Sequence, residues 1–325
     1  MSAPVLNMAS RVATRLLPAA RQQRLTILIY HRVLPQPDPM RPDEPTVEVF
    51  DWQMRVLCHA FNPLSLMEAV EGLAAGTLPE RAVCVTFDDG YADNETCALP
   101  ILQKYQIPAS VFVSTGFLNG GRMFNDSVIE AVRGCTSDSL DLRDLGLEAY
   151  PLVDWPARLR CAEQVLHAIK HLEPHERSAA VAQITRDSTA LPDDLMMTDA
   201  QVRNLADNGV YIGAHTVNHP ILASTEAVQA RAEIAQSKQQ LEELLQRPVQ
   251  AFAYPNGKPG ADYRPEHRDM VGDLGFDTAL ATHWGAAVAA SDPLQLPRFT
   301  PWDRTQGRFM LRLLLNYRQL DPLLG

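Results

Sequence analysis

The chain has no C-x-x-C pair, no apolar run of the roughly 18 to 20 residues needed to cross a bilayer, no basic excess and no internal repeat. Each lack excludes something. Its five cysteines (Cys58, Cys84, Cys97, Cys135 and Cys161) are odd in number and widely spaced, so neither a disulfide framework nor a cysteine zinc site is expected. A reducing compartment fits, and the expected location is cytoplasmic. A formal net charge of -10 leaves no basic footprint for nucleic acid, and no nucleic-acid partner is expected. With 46% hydrophobic and 21% charged residues the composition is that of an ordinary soluble globular protein. The first 24 residues carry Arg11, Arg15, Arg21 and Arg24 with no acid before Asp38. Arg15 and Pro18 break the apolar stretch that a cleavable signal requires, and none is expected. Val5 to Leu17 reads as a docked terminal helix or as a basic amphipathic helix making peripheral contact with an anionic membrane.

What the chain does contain is an alternation of buried strands and helices. Leu25 to Tyr30, Ala82 to Phe87 and Ala109 to Val113 are short apolar, β-branched-rich runs of the kind that fill a parallel sheet. Helical spacing recurs between them over Val47 to Phe61, Ser65 to Leu73 and Thr96 to Tyr105. From Leu118 to about Met197 the alternation stops; Phe124 to Arg133, Ala157 to Leu172 and Pro174 to Ile184 read as helices of an insertion covering 118–197. Alternation resumes with helix Asp199 to Asn208, strand Val210 to Ala214, helix Glu226 to Leu245, strand Val249 to Tyr254, helix Arg264 to Leu274, and strands Asp277 to Ala281 and Gln295 to Thr300. The expected fold class is α/β, over residues 25–325, with about seven mostly parallel strands in a barrel or an open doubly wound sheet.

Chemistry is expected where strands end, because ligands bind at the carboxyl ends of parallel strands. Val83-Cys84-Val85-Thr86-Phe87 runs directly into Asp88, Asp89 and Gly90. Two adjacent carboxylates at a partly desolvated strand end raise each other's pKa, so they need a cation, a donor or a shared proton. A metal ion is the simplest partner. Gly213-Ala214-His215-Thr216-Val217-Asn218-His219-Pro220 ends another strand. If Thr216 caps a single helical turn, His215 and His219 project from one side of it with the spacing that grips one ion. Taken alone, H-x-x-x-H is equally a pair of surface or capping histidines. Two imidazoles plus one carboxylate would leave positions open for water and substrate, as catalytic metal sites do.

Thr86-Phe87-Asp88-Asp89-Gly90 and His215-Thr216-Val217-Asn218-His219 resemble the first two signature motifs of the polysaccharide deacetylases (NodB-homology, carbohydrate esterase family 4). The resemblance spans roughly Leu25 to Thr300 apart from the insertion, and implies a distorted (β/α) barrel of about seven parallel strands. By it, Asp89, His215 and His219 would be metal ligands and Asp88 the catalytic base. A divalent ion would polarise an acetamide and acidify water while Asp88 takes that water's proton. Zinc is the expected ion; cobalt, nickel or iron suit the same donors.

Phe252-Ala253-Tyr254-Pro255-Asn256-Gly257 resembles the family's substrate-groove motif in the variant associated with the exopolysaccharide-modifying branch. There it would give a backbone oxyanion donor and an aromatic wall, making Tyr254, Pro255 and Asn256 substrate-binding. The same residues are strong turn formers. The family's last motif, a leucine and a histidine that protonates the leaving amine, is absent where expected; Leu296-Pro297-Arg298-Phe299 stands there. His31, ending the first strand, is the candidate for that acid or for substrate binding, and His283 competes. Arg298 is read as orienting Asp88, as pairing a structural carboxylate, or as part of the substrate site. Trp284 and Trp302 are expected in the core, with sugar stacking as the alternative. The expected activity is removal of an N-acetyl group from N-acetylhexosamine units of a bacterial polysaccharide or glycan precursor. Hydrolysis of a small amide and non-catalytic sugar binding are the other readings. Oligomeric state has no signal here.

Overall fold

The computed structural model describes residues 23–186, 188 and 191–324; the expected N-terminal helix, Val5 to Leu17, lies outside these residues. Six strands form the sheet in the order β1 (Leu25–Tyr30), β3 (Ala82–Phe87), β4 (Ala109–Val113), β7 (Tyr211–Ala214), β8 (Ala251–Ala253) and β9 (Thr278–Leu280), all parallel. A two-residue strand, β2 (Asn62–Pro63), pairs with the start of β3. β1, β3 and β4 are buried along their whole length, which is why they read as continuous apolar runs rather than alternating ones.

The expected last strand, Gln295 to Thr300, is not a regular strand. Leu296 exchanges hydrogen bonds with β9 (to Ala279 and from Ala281, both 2.9 Å), and three residues later Phe299 does the same with β1 (to Ile27 at 2.7 Å and from Ile29 at 3.1 Å). Pro297, which has no N–H to contribute to a ladder, lies in the step between them. The curled sheet is thereby bridged from its last strand to its first, giving a distorted (β/α) barrel.

Helices surround it: α1 (Val47–Ala60), α2 (Leu66–Ala75), α3 (Leu99–Tyr105), then α4 (Phe124–Gly134), α5 (Trp155–Ile169) and α6 (Pro174–Ile184) in the region after β4, and α7 (Asp199–Asp207), α8 (Ala227–Leu245), α9 (Pro265–Asp273) and α10 (Gln306–Arg318). Thr46 caps α1 and Ser65 caps α2 by accepting the N–H of Val49 and Glu68. Pro100 does not interrupt α3 because it occupies the first turn, following a π-helical turn over Asn94–Ala98. Between α4 and α5 lies an antiparallel hairpin, β5 (Ser139–Asp141) with β6 (Ala149–Pro151), which the sequence reading missed. This region has its own apolar cluster, including Val128, Val132, Leu152, Cys161 and Val165, and Met40 from the loop after β1 is buried in it. Arg41 of that loop pairs with Asp126 and Glu130 of α4, both at 2.8 Å.

Candidate active site

Strand register sets the site. Tyr30 pairs with Phe87 and Phe87 with Val111, while Ala214 pairs with Val113, two residues further along β4; His31, Asp88 and His215 each follow the last residue of their strand and so share the carboxyl end of the barrel. The Asp88 N–H donates to Tyr30 O at 2.9 Å and the His215 N–H to Val113 O at 3.1 Å, extending the ladder into the motifs. Immediately beyond, Asp89 (φ 76°) and Gly90 (φ 89°) turn the chain back in left-handed conformations, and this turn swings the Asp89 carboxylate toward the histidines.

The expected helical turn at Thr216 does not form. Thr216 (φ 64°) and His219 (φ 51°) are left-handed, so the segment is a tight loop. The Thr216 hydroxyl nevertheless accepts the His219 N–H at 3.1 Å. The remaining loop amides are held by a residue that the sequence reading missed: Glu233 of α8 accepts from Val217 N at 3.0 Å, Asn218 N at 2.8 Å and Asn218 Nδ2 at 2.8 Å. Glu233 lies mid-helix between Ala232 and Ile234 with no motif around it, and only the packing of α8 under this loop singles it out.

Asp89 Oδ1 stands 3.4 Å from His215 Nε2 and 3.5 Å from His219 Nε2. Ligands at about 2.0–2.2 Å from a tetrahedral ion are separated by about 3.4 Å, so these three donors could hold one divalent cation. Two further observations fit that use. Asp89 Oδ1 is buried with no hydrogen-bond partner, an arrangement that is costly for a carboxylate unless a cation is bound. His215 Nδ1 lies 2.7 Å from Ala253 O, which can only accept, so the proton sits on Nδ1 and the Nε2 lone pair faces the site. Burial pulls the His219 imidazole down to about 4, keeping it neutral, as a ligand must be. For His215 burial also pulls down, but Asp88 and Asp89 outweigh it and the net direction is up. Burial opposes ionisation of Asp89, yet the two histidines hold it well below the ordinary carboxylate range.

Asp88 has a different partner, although its Oδ2 stays 4.0 Å from His215 Nε2. Its two oxygens receive Arg298 Nη1 and Nη2 at 2.7 and 2.6 Å, while Arg298 Nε donates to Ala281 O at 2.9 Å. Burial alone would raise the Asp88 pKa; Arg298 and His215 overcome it and the net direction is down. Arg298 is fully buried, so it is no substrate contact: its fork is consumed by Asp88, which it orients.

Asp88, Asp89, His215 and His219 line a cavity of about 570 Å³, within the range of small-molecule sites. His31 and Asn256 also line it, as do Arg32, Glu44 and Tyr91. The backbone around His31 is clamped by the loop after β3: Arg32 Nε pairs with Asp93 at 2.7 Å, Asp93 accepts Val33 N at 3.0 Å, and Asn94 Nδ2 donates to His31 O at 2.9 Å. Asp93 stands only four residues beyond Asp89, which is the one sequence signal that could have found it. His283 is elsewhere, with Nε2 on Asp321 at 3.0 Å.

Tyr254 and Pro255 are corrections. Both are buried; Tyr254 stacks on Tyr263 at 3.8 Å between centroids and its hydroxyl donates to Leu294 O, so it forms core rather than an aromatic wall. Strand alternation turns its ring away from the cavity, and its N–H is taken by Leu280 O at 3.1 Å. Asn256 alone of the three reaches the cavity, in a left-handed turn (φ 57°) with its carbonyl held by Thr282 Oγ1 at 2.7 Å. The expectation of core tryptophans also fails: Trp302 is 52% and Trp284 39% exposed, the two rings lie 5.4 Å apart, and Trp302 lines the cavity rim.

The sequence matches the family model described as Polysaccharide deacetylase over residues 75–138 and 160–279. It is 22% identical over 266 residues to YxkH of Bacillus subtilis (strain 168), which carries the provisional name polysaccharide deacetylase; the match covers 81% of this chain and 66% of YxkH, just under two thirds of that protein. Over 63 residues, 19% of this chain and 9% of the other, it is 41% identical to the poly-beta-1,6-N-acetyl-D-glucosamine N-deacetylase of Escherichia coli (strain K12). The fold superposes on the Streptococcus pyogenes deacetylase PplD with a TM-score of 0.61 at 21% identity, covering 90% of this chain and 99% of that one. The matched model takes in both the Asp88-Asp89 and the His215-His219 segments, and the chain belongs to the polysaccharide deacetylase family.

Proposed function

We propose that this chain is a metal-dependent carbon-nitrogen hydrolase that releases acetate from N-acetylhexosamine units of a bacterial polysaccharide or its glycan precursor. The observation that carries this reading is the convergence of Asp89, His215 and His219 beside an arginine-bound Asp88 on the floor of one cavity. Asp89, His215 and His219 would hold the ion, and zinc suits their two nitrogens and one oxygen. A divalent ion bound there polarises the amide carbonyl and lowers the pKa of the attacking water.

The chain's own groups divide the remaining work. Asp88, held ionised and aimed by Arg298, takes the proton of the attacking water. The Asn256 N–H, in the turn whose carbonyl Thr282 holds, is the donor offered to the developing oxyanion. His31 protonates the leaving amine, in place of the missing leucine-histidine motif. The E. coli relative named as an N-deacetylase of an N-acetylglucosamine polymer supports the choice of substrate class.

The test is acetate release from N-acetylglucosamine oligomers by zinc-loaded protein. Asp88→Asn should lower kcat about 10²–10⁴-fold, the usual worth of a general base, with metal content unchanged. His31→Gln should lower kcat with bound zinc again unchanged. Wild-type protein that binds no divalent ion at any concentration ends the proposal.

A further inference from the structure

The catalytic floor opens into a second space that the reaction above does not use. It measures about 240 Å³, shares Asp89, His219, Asn125, Leu166 and Asn256 with the main cavity, and extends under α5 and α6. Its added walls are of two kinds. Met123, Phe124 and Ile221 are apolar, while His167, Lys170 and Arg177 are basic.

Lys170 and Arg177 form no ion pair among the described residues, although every other arginine that lines these cavities is matched: Arg32 with Asp93, and Arg41 with Asp126 and Glu130. Arg177 is half-buried, lies over the Phe124 ring at 4.7 Å, and donates one hydrogen bond to Lys170 O at 3.1 Å. That bond anchors Arg177 to the backbone of Lys170, and among the described residues the guanidinium has no acidic partner. Among the described residues Asp89 is the only acid lining this space, and His215 and His219 already face it. In a chain of net charge -10, two part-buried cations on one cavity wall with no acid paired to them among the described residues are uncompensated there.

We infer that Lys170 and Arg177 form an anion subsite for a phosphate ester on the substrate, in the space that adjoins the reacting centre through Asp89, His219 and Asn256. The inference rests on the deacetylase reading for its placement relative to the reaction. The apolar lining adds that the ester's other substituent is hydrocarbon-like, as in a glycan joined to a lipid through phosphate; a free sugar phosphate is the other source of the same group.

The test is direct binding, without turnover, to zinc-loaded full-length protein by calorimetry, using the octyl phosphodiester of glucose, glucose 1-phosphate and neutral octyl glucoside. The two phosphates should bind at least about tenfold more tightly than the neutral glycoside, with affinity falling as salt rises. Lys170→Gln and Arg177→Gln should each remove about tenfold, and neither should affect the neutral glycoside. Preference for the octyl ester identifies the lipid-linked source, and equal binding of both phosphates the soluble one. Equal binding of the neutral and phosphorylated ligands, or undiminished phosphate binding by the double variant, overturns the inference. Because these ligands carry no acetyl group, failure of the deacetylase reading would appear separately, as absent acetate release with phosphate binding intact.

Discussion

Replacing Arg298 by methionine would keep most of the stem volume and remove the charge that faces Asp88. In the native protein that carboxylate is buried and takes both arms of the guanidinium at 2.6–2.7 Å. Breaking such a pair from one side costs about 3–5 kcal/mol, because the surviving charge is left desolvated. Asp88 has one escape, to bind a proton. Starting from an ordinary carboxylate pKa near 3.9, protonation costs about 4 kcal/mol at pH 7 but only about 1.5 kcal/mol at pH 5, so the penalty is capped at those values. The direction with pH therefore inverts. In the wild type the folded-state pKa of Asp88 lies below its unfolded value, so its contribution is present above about pH 4 and is lost as pH falls. In Arg298→Met the folded-state pKa lies above the unfolded value, and stability is lost as pH rises. Urea unfolding of the metal-free proteins at pH 5 and pH 7 measures this: the deficit of Arg298→Met should grow by about 2–3 kcal/mol between the two. Asp88→Asn combined with Arg298→Met should recover most of the loss at pH 7. A deficit under about 1 kcal/mol, or one equal at both pH values, would refute the assignment of Arg298 as the partner that keeps Asp88 ionised.

Glu233→Ala should loosen the His215–His219 loop by freeing three donors, and weaken zinc about 10–100-fold in a competition titration, the usual cost of losing a group that orients ligands; Glu233→Gln, which keeps an acceptor, should weaken it less. His267, at the start of α9, accepts the Arg264 N–H at 3.0 Å on Nδ1, and burial lowers its pKa. Above its unfolded value near 6.5 both states are neutral. As pH falls below that the unfolded chain takes the proton first, so stability should decline between pH 7 and pH 5 and level off below the folded-state pKa. His267→Gln should flatten that part of the melting-temperature profile, and an unchanged profile would count against the cap. Titrating zinc into metal-free wild type should raise the melting temperature with concentration, and Asp89→Asn should abolish most of that rise.

Several structural features could be read from the chain directly, for a local reason. Parallel strands buried on both faces leave continuous apolar runs, so β1, β3 and β4 were recognisable residue for residue. Helix starts were visible where the capping side chain sits beside the helix it caps, as at Thr198 before α7. The Asp88-Asp89 and His215-His219 motifs stood out because each ends a strand. The short hairpin between α4 and α5 escaped, since three-residue strands carry too little periodicity. α10 escaped as well; Leu311 and Leu315 are exposed on it, which blurs the amphipathic contrast.

The sequence by itself determined the chemistry on offer: which carboxylates and imidazoles follow which strands, and that one motif expected of the family is missing. Tertiary structure decided how that chemistry is distributed. Whether Arg298 meets substrate or Asp88, whether Tyr254 forms a wall or core, and which helix steadies His215 and His219 all depend on side chains brought together across 15 to 210 residues. Only the closing of the sheet through Leu296 and Phe299 carries Arg298 beneath Asp88. The separation of Asp88 and Asp89 into two roles follows from geometry: with the left-handed turn at Asp89, one carboxylate is taken by an arginine and its neighbour lies between two histidines, both at the floor of one cavity.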